Sequence, residues 1–305
     1  EEKQVAHDLE EEIRAKYGYS PSFGSLREAL EYAFEQNFDL IFMDEFPNVL
    51  QVNSAVPFEV QRLWDAYRDK KDVLLIFSGS YAGMMNRLFA AKKAPLFNRA
   101  TSTISLQPLL FKTVSQILTE LGVSEPADKI AFFLVFGGIP YYYVLLEKEG
   151  AKSFEAAVEA LFFGPGAQLR EEGESVLKQE FGSAYSKYYA ILEAISSGSV
   201  SMNEITSKLG IRATTLSKYV KALQQDFKLV ERMVPFGQNP LKSKKGQYFM
   251  ADNTLSFWFP HVHGKRNPPT EGEACAFLGR RFEFFCRRFF EGHLEGRGER
   301  IIHLG

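Results

Sequence analysis

The sequence predicts an α/β protein. A parallel sheet covered by helices is followed by a helical segment, a small helical unit closed by a β-hairpin, and a short C-terminal piece. Three observations predict this. Two short continuous apolar runs, DLIFM (residues 39–43) and VLLIF (residues 73–77), alternate with helix-period segments near the N-terminus. From residue 111 to about residue 163 the periodicity is helical. Further on, three helix-period segments precede two short strand-like runs separated by a Pro/Gly/Lys loop.

The elements follow in order. Residues 25–36 are predicted as a helix, with Leu26, Leu30, Ala33 and Phe34 on one face. DLIFM reads as a strand buried on both faces. Residues 57–69 are helical, with Val60, Leu63, Trp64 and Tyr67 three and four apart. VLLIF is a second buried strand, and residues 81–90 form another helix. Residues 101–106 alternate and are predicted as a third strand, closed by Pro108. GGIPYYY (residues 137–143) interrupts the helical stretch, and GPGAQLREEGE (residues 164–174) marks a domain boundary. Residues 185–196, 201–209 and 214–226 read as helices, and 229–234 with 247–250 as a hairpin, which is the order of a winged helix. Residues 279–290 form an Arg/Phe-rich helix ahead of a short tail. The expected domains are therefore 1–110, 111–180, 181–260 and 261–305.

At 305 residues the chain has room for two or three cores. Its 45% apolar and 24% charged residues are the balance of a soluble globular protein. The longest apolar stretch, residues 130–136, is too short to span a bilayer, so no membrane partner is expected. The opening EEKQVAHDLEEE is not a secretory leader, and a cytoplasmic protein is expected. The chain starts without Met and mid-pattern, which suggests a gene fragment. Cys275 and Cys286 make neither a disulfide framework nor a zinc spacing. The net charge of −2 hides a segregation of charge. Residues 1–45 carry twelve acidic and four basic side chains, whereas residues 212–245 carry eight basic and two acidic, a surplus of six positive charges. The second region is a candidate polyanion-binding face.

The pair Asp44-Glu45 ends the first apolar strand, at the carboxyl edge where open α/β sheets bind ligands. In a P-loop ATPase the first carboxylate of such a pair holds the magnesium-bound water and the second polarises the attacking water. The structural alternative is a strand end followed by a polar turn. The second strand ends in Ser78-Gly79-Ser80, where a small polar side chain could contact a γ-phosphate. Asn98-Arg99 precedes the third predicted strand, so a guanidinium could neutralise phosphate charge at the same edge. Taken singly, Ser80 could equally be a helix N-cap and Arg99 a surface charge.

With these features in order, the sequence resembles the archaeal-type P-loop ATPases of the AAA+/STAND kind, which carry a winged helix and a C-terminal PD-(D/E)XK-like nuclease-related domain. The strings that carry the resemblance are IFMDEFPNVL, LLIFSGSYAGMM, LFNRATSTISLQPLLF, FGGIPYYY, the helical run from YYAILEAISSG to FKLVER, KSKKGQYFMADNTLSFWF and GRRFEFF. The resemblance implies a partial P-loop NTPase sheet, a helical lid, a winged helix and a short C-terminal remnant. It implies ATP and Mg2+ as ligands of the complete protein, with Asp44 as the Walker B magnesium aspartate, Glu45 as the catalytic glutamate, Ser80 as the first-sensor position and Arg99 as an arginine of the nucleotide edge. The sequence departs from the family in lacking any G-x-x-x-x-G-K-[ST] among its 305 residues. Without that loop the backbone cradle and lysine for the β- and γ-phosphates are missing, so these residues alone are not expected to hydrolyse ATP. The strand that carries the loop should lie between the second and third strands, leaving a gap or a collapsed sheet.

In the third helix of the winged-helix segment, Leu216, Tyr219, Val220 and Leu223 can face the core, leaving Thr214, Thr215, Ser217, Lys218, Lys221 and Gln224 outward. Thr214, Thr215 and Ser217 could meet base edges, and Lys218 and Lys221 could meet phosphates. Lys242, Lys244 and Lys245 sit in the loop that would form the wing. Double-stranded DNA is the expected partner; the alternative is a winged helix used for protein contacts. Trp258, between Phe257 and Phe259, reads as core rather than as a base-stacking platform. His261 and His263 lack further ligands for a metal site. Glu283 would correspond to the first acidic residue of the nuclease-like domain, but only 22 residues follow it, and nuclease activity is not expected. Two functions remain open: an ATP-dependent switch that couples nucleotide state to DNA engagement, and a non-enzymatic DNA-binding or regulatory module.

Overall fold

In the computed structural model the described residues are 2–295 except 20, 37, 80, 81, 91, 236, 237, 240, 241 and 244. They fall into two compact units, Glu1–Ile104 and Ser105–Gly305.

The first unit begins with a helix absent from the sequence reading, α1 (Glu2–Tyr17), whose Ala6 and Ile13 are buried. Its polar composition disguised it, and one of its buried side chains is charged. Glu10 accepts hydrogen bonds from the Phe23 N–H and, at 3.3 Å, from the His7 ring. The Phe23 amide holds its carboxyl below the ordinary carboxylate range. Helix α2 (Leu26–Glu35) is capped by Ser25, whose hydroxyl accepts from the Glu28 N–H at 3.3 Å. Its buried face is Leu26, Ala29, Leu30 and Phe34, so Ala29 takes the core position expected of Ala33. Then come β1 (Leu40–Met43), a 3-10 turn at Phe46–Asn48, the single-turn α3 (Val49–Val52), α4 (Val56–Tyr67), β2 (Leu74–Phe77) and α5 (Ala82–Phe89).

Strands β1 and β2 pair in parallel, with Leu40 opposite Leu74 and Met43 opposite Phe77. On one face Ile41, Met43, Leu75 and Phe77 pack against a core built from α2, α4 and α5, including Phe34, Val60, Leu63 and Leu88. The other face is exposed, which corrects the expectation of strands buried on both sides. The expected third strand does not form either. Residues 102–110 join no ladder, and Ile104 and Leu106 are 84% and 92% exposed. An alternating sequence becomes a strand only where a neighbour accepts and donates its backbone hydrogen bonds, and among the described residues no strand pairs with residues 101–106. The molecule is accordingly mixed α/β but mostly helical, with two small two-stranded sheets among the described residues.

The second unit holds α6 (Phe111–Glu120), α7 (Pro126–Phe136), α8 (Pro140–Glu149), α9 (Phe154–Val158) with a π-turn at Glu159–Phe163, and α10 (Glu172–Phe181). After these come α11 (Tyr185–Ser196), α12 (Met202–Leu209), α13 (Ala213–Gln225), β3 (Val230–Met233), β4 (Gln247–Met250), α14 (Asn253–His261) and α15 (Glu271–Glu295). GGIPYYY is the joint between α7 and α8. Gly137 adopts φ 61, and a Cβ on Gly138 would lie 2.0 Å from the Leu109 carbonyl oxygen, so only glycine lets the two backbones meet. Leu169 and Gly173, within residues 164–174, are buried in this unit; a Cβ on Gly173 would strike the Trp258 ring at 2.5 Å. Helix α12 carries a full capping box, Ser201 with Glu204. Strands β3 and β4 form an antiparallel ladder with Val230 opposite Met250, and Tyr248 donates to the Val200 carbonyl at 2.7 Å. Helix α14 inserts into the core of the unit: Asn253 and Thr254 donate to the Phe133 and Val135 carbonyls, and Trp258 is 2% exposed.

Candidate functional site

The parallel register of β1 and β2 decides what meets at the carboxyl edge. Because Met43 lies opposite Phe77, the next residue of each strand, Asp44 and Ser78, also emerge side by side. The Ser78 amide donates to the Met43 carbonyl at 3.0 Å. Its hydroxyl donates to the Asp44 carboxylate and accepts the Glu45 N–H at 3.1 Å. The Phe46 amide then donates to the Ser78 carbonyl at 3.0 Å. Four hydrogen bonds therefore lock the turn after β1 to the end of β2. Within that turn Glu45 sits in the left-handed region at φ 45, ψ 43, a conformation that non-glycine residues rarely adopt. Gly79 lets the chain pass Pro47: a Cβ there would meet the proline ring and the Met85 sulfur at 2.8 Å. Asp44 is exposed and Glu45 half-buried on this fixed backbone.

The contact of Ser78 with Asp44 was not foreseen in the sequence. The signal that finds it is positional: in a parallel pair, the residues following the two strands stand next to one another. Ser80 itself lies outside the described residues. Arg99 is taken by Asp65 of α4, to which its guanidinium donates twice, at 3.0 and 2.7 Å, and it also donates to the Pro95 and Phe97 carbonyls. The Arg99 fork holds the Asp65 carboxyl below its ordinary range. Asp65 was not singled out by the sequence, since its partner lies 34 residues away.

In the second unit, Thr214, Thr215, Ser217, Lys218 and Lys221 are all exposed on α13, while Leu216, Val220 and Leu223 are buried beneath them. Lys242 and Lys245 are exposed in the β3–β4 loop, and Lys244 lies outside the described residues. Arg232, counted with the basic region in the sequence, turns inward: it donates to the Ser243 carbonyl at 2.6 Å and runs beneath Gly246. Ser243 donates to Gln238 at 2.6 Å and accepts the Lys245 N–H at 3.1 Å, which shapes the loop that presents the lysines.

No family model matches the sequence. The chain is 30% identical over 233 residues to an uncharacterised protein of Methanocaldococcus jannaschii, a match covering 76% of this chain and 51% of that protein. The chain thus spans about half the length of this curated relative. Among solved structures, the Walker-type ATPase of Pyrococcus abyssi aligns with a TM-score of 0.57 at 15% identity, over 85% of this chain and 79% of that one. The fold is P-loop ATPase-like. No helix among the described residues is long and apolar enough to cross a membrane.

Proposed function

We propose that this chain is the part of an ATP-dependent switch that reaches from the Walker B strand to a winged-helix DNA-binding domain. The observation that carries the reading is the Asp44–Ser78–Glu45 node at the carboxyl edge of β1 and β2. Its donors are a carboxylate and a hydroxyl, hard oxygen groups of the kind Mg2+ takes, usually with waters in between. Asp44 would hold the magnesium-bound water, and Mg2+ would supply charge neutralisation at the phosphates when nucleotide is present. Ser78 orients Asp44 by occupying one of its oxygens. Glu45, next in the chain and held in a left-handed turn, would accept a proton from the attacking water. Ser80 keeps the first-sensor role in this reading. Arg99 keeps its place at the nucleotide edge, with Asp65 as the carboxylate that a phosphate would replace. Residues 111–180 serve as the helical lid and 181–260 as the winged helix.

The sequence has no phosphate-binding loop, so the 305 residues alone should show no measurable ATP hydrolysis. A longer gene product that supplies such a loop should show magnesium-dependent turnover, and Glu45→Gln in it should remove most of kcat while leaving nucleotide binding largely intact. Steady-state hydrolysis and a fluorescent-nucleotide titration read the two halves of that expectation. Robust turnover by the 305 residues, abolished by Glu45→Gln, overturns the reading.

A second reading, a DNA-binding module without enzymatic activity, is favoured by the exposed threonines and lysines of α13 and the exposed Lys242 and Lys245.

A further inference from the structure

In the second unit the turn that follows α14 and the start of α10 form the two walls of a cleft of about 320 Å3. Gly264, at φ 68, lets the chain reverse there, and the Lys265 amide closes the turn on the Val262 carbonyl at 3.0 Å. Arg170 ties the walls together across 95 residues of sequence. Its carbonyl accepts the Trp258 indole N–H at 2.8 Å, and its guanidinium donates to the Lys265 carbonyl at 2.9 Å. His263 is held by the Tyr189 hydroxyl at 2.7 Å. The fold itself therefore fixes the shape of the cleft, as small-molecule sites require. The charges on its walls are unevenly paired. Glu174 is neutralised by Lys178 at 2.7 Å. Glu273, which feels the charge of Lys265, is itself taken by Thr270 at 2.8 Å. Among the described residues the Lys265 ammonium and the Arg266 guanidinium have no hydrogen-bond or ion-pair partner, and neither has the Glu171 carboxylate.

We propose that this cleft binds a small sugar phosphate, with the phosphate on Lys265, Arg266 and the remaining donors of Arg170, and a sugar hydroxyl on Glu171. A phosphate monoester carries a charge of about −1.5 to −2 at neutral pH and three acceptor oxygens. That matches a group of converging cationic donors better than the single charge of a carboxylate does. Glu171 would repel a second anionic group but accepts a hydroxyl. The volume is at the small end of the range of about 300–1,000 Å3 for small-molecule sites, which leaves room for a sugar beside the phosphate. A nucleobase fits less well, because Trp258, the ring on these walls that could stack against one, is 2% exposed. The site shares no residue with the carboxylate edge or with α13, so the proposal stands apart from the ATPase-like and DNA-binding readings.

The test is isothermal titration calorimetry of the 305-residue chain with ribose 5-phosphate, beside inorganic phosphate and ribose. Ribose 5-phosphate should bind with a Kd of about 1 mM or tighter, at least about ten-fold more tightly than inorganic phosphate, and ribose should give no measurable heat. Lys265→Ala and Arg266→Ala should each weaken ribose 5-phosphate about ten-fold. Their Tm should stay within about 2 °C of the parent, because neither side chain holds a protein partner. Glu171→Ala separates the two ends of the cleft. It should weaken ribose 5-phosphate by removing the hydroxyl contact, and leave inorganic phosphate unchanged or tighter by removing a repelling charge. Equal affinity for inorganic phosphate and ribose 5-phosphate would reduce the cleft to a general anion site and overturn the proposal. So would an absence of binding at about 10 mM ribose 5-phosphate, or binding that both lysine and arginine variants leave unchanged. Adenosine monophosphate binding about ten-fold more tightly than ribose 5-phosphate would mean that a base is held, and would overturn the assignment to a sugar phosphate.

Discussion

Ser78 shows how a single hydroxyl organises the carboxylate edge, by donating to Asp44 while accepting the Glu45 amide. Ser78→Ala leaves the Glu45 N–H without that acceptor and Asp44 without its donor. It should cost about 1–2 kcal/mol in the unfolding of the first unit, and Ser78→Thr should recover most of the loss. Urea unfolding followed by tryptophan fluorescence reads this, since Trp64 packs against that core; an unchanged midpoint for Ser78→Ala would show that the node carries no stability. The Asp65–Arg99 pair makes a prediction about pH. Arg99 depresses the folded-state pKa of Asp65, so the pair's stabilisation is complete above the unfolded carboxyl value of about 3.9. It is lost as pH falls through the lower folded value. The difference in unfolding midpoint between the parent chain and Asp65→Asn should hold constant from pH 7 to about pH 4 and close below that. A difference that closed between pH 5 and 7 would mean that another group is responsible.

At the scale of elements, α13 separates its two faces cleanly: Leu216, Val220 and Leu223 are buried, whereas Thr214, Thr215, Ser217, Lys218 and Lys221 are exposed. If Lys218, Lys221, Lys244 and Lys245 each neutralise one phosphate of duplex DNA, the log–log salt dependence of binding should have a slope of roughly −3 to −4. Replacing Lys244 and Lys245 with Ala should flatten it by about 2, without regard to DNA sequence. Replacing Thr214 and Thr215 should leave the slope alone and alter any sequence preference, because hydroxyls at base edges carry no charge. Fluorescence anisotropy of a short labelled duplex across a salt series measures all three, and no binding at about 50 mM salt would favour a protein-contact role. Arg232 belongs to a different class from these lysines. It holds the Ser243 carbonyl within its own loop, so its removal should disturb the loop's shape.

For the whole molecule, the two units have separate cores, one around Phe34, Val60 and Leu63 and the other from Val114 through Trp258 to Phe277. Residues 102–106 are exposed and join no ladder. Limited chymotrypsin digestion should therefore cut first at Leu106, which is 92% exposed. The C-terminal product should keep a cooperative unfolding transition, because its buried aromatic cluster of Phe132, Phe136, Phe162 and Phe257 lies within it. Initial cleavage inside α7 or α14, rather than in the connecting stretch, would show that the second unit is not the more stable one.

The sequence by itself determined the features that depend on local periodicity and local chemistry. Helices α11 and α12 and strand β4 were all legible, because a 3.6-residue repeat and a short apolar run each act over a few residues. So was the placing of Asp44 and Glu45 at a strand end. The tertiary structure decided what depends on partners remote in the chain. Residues 101–106 alternate like a strand, yet among the described residues no neighbouring strand meets their amides. Strands β1 and β2 look doubly buried in sequence but are covered on one face only. Helix α1 lies in the acidic opening stretch, and its buried Glu10 meets the Phe23 amide, thirteen residues away. That Ser78 touches Asp44 came from the register of two strands 34 residues apart, which no local pattern records.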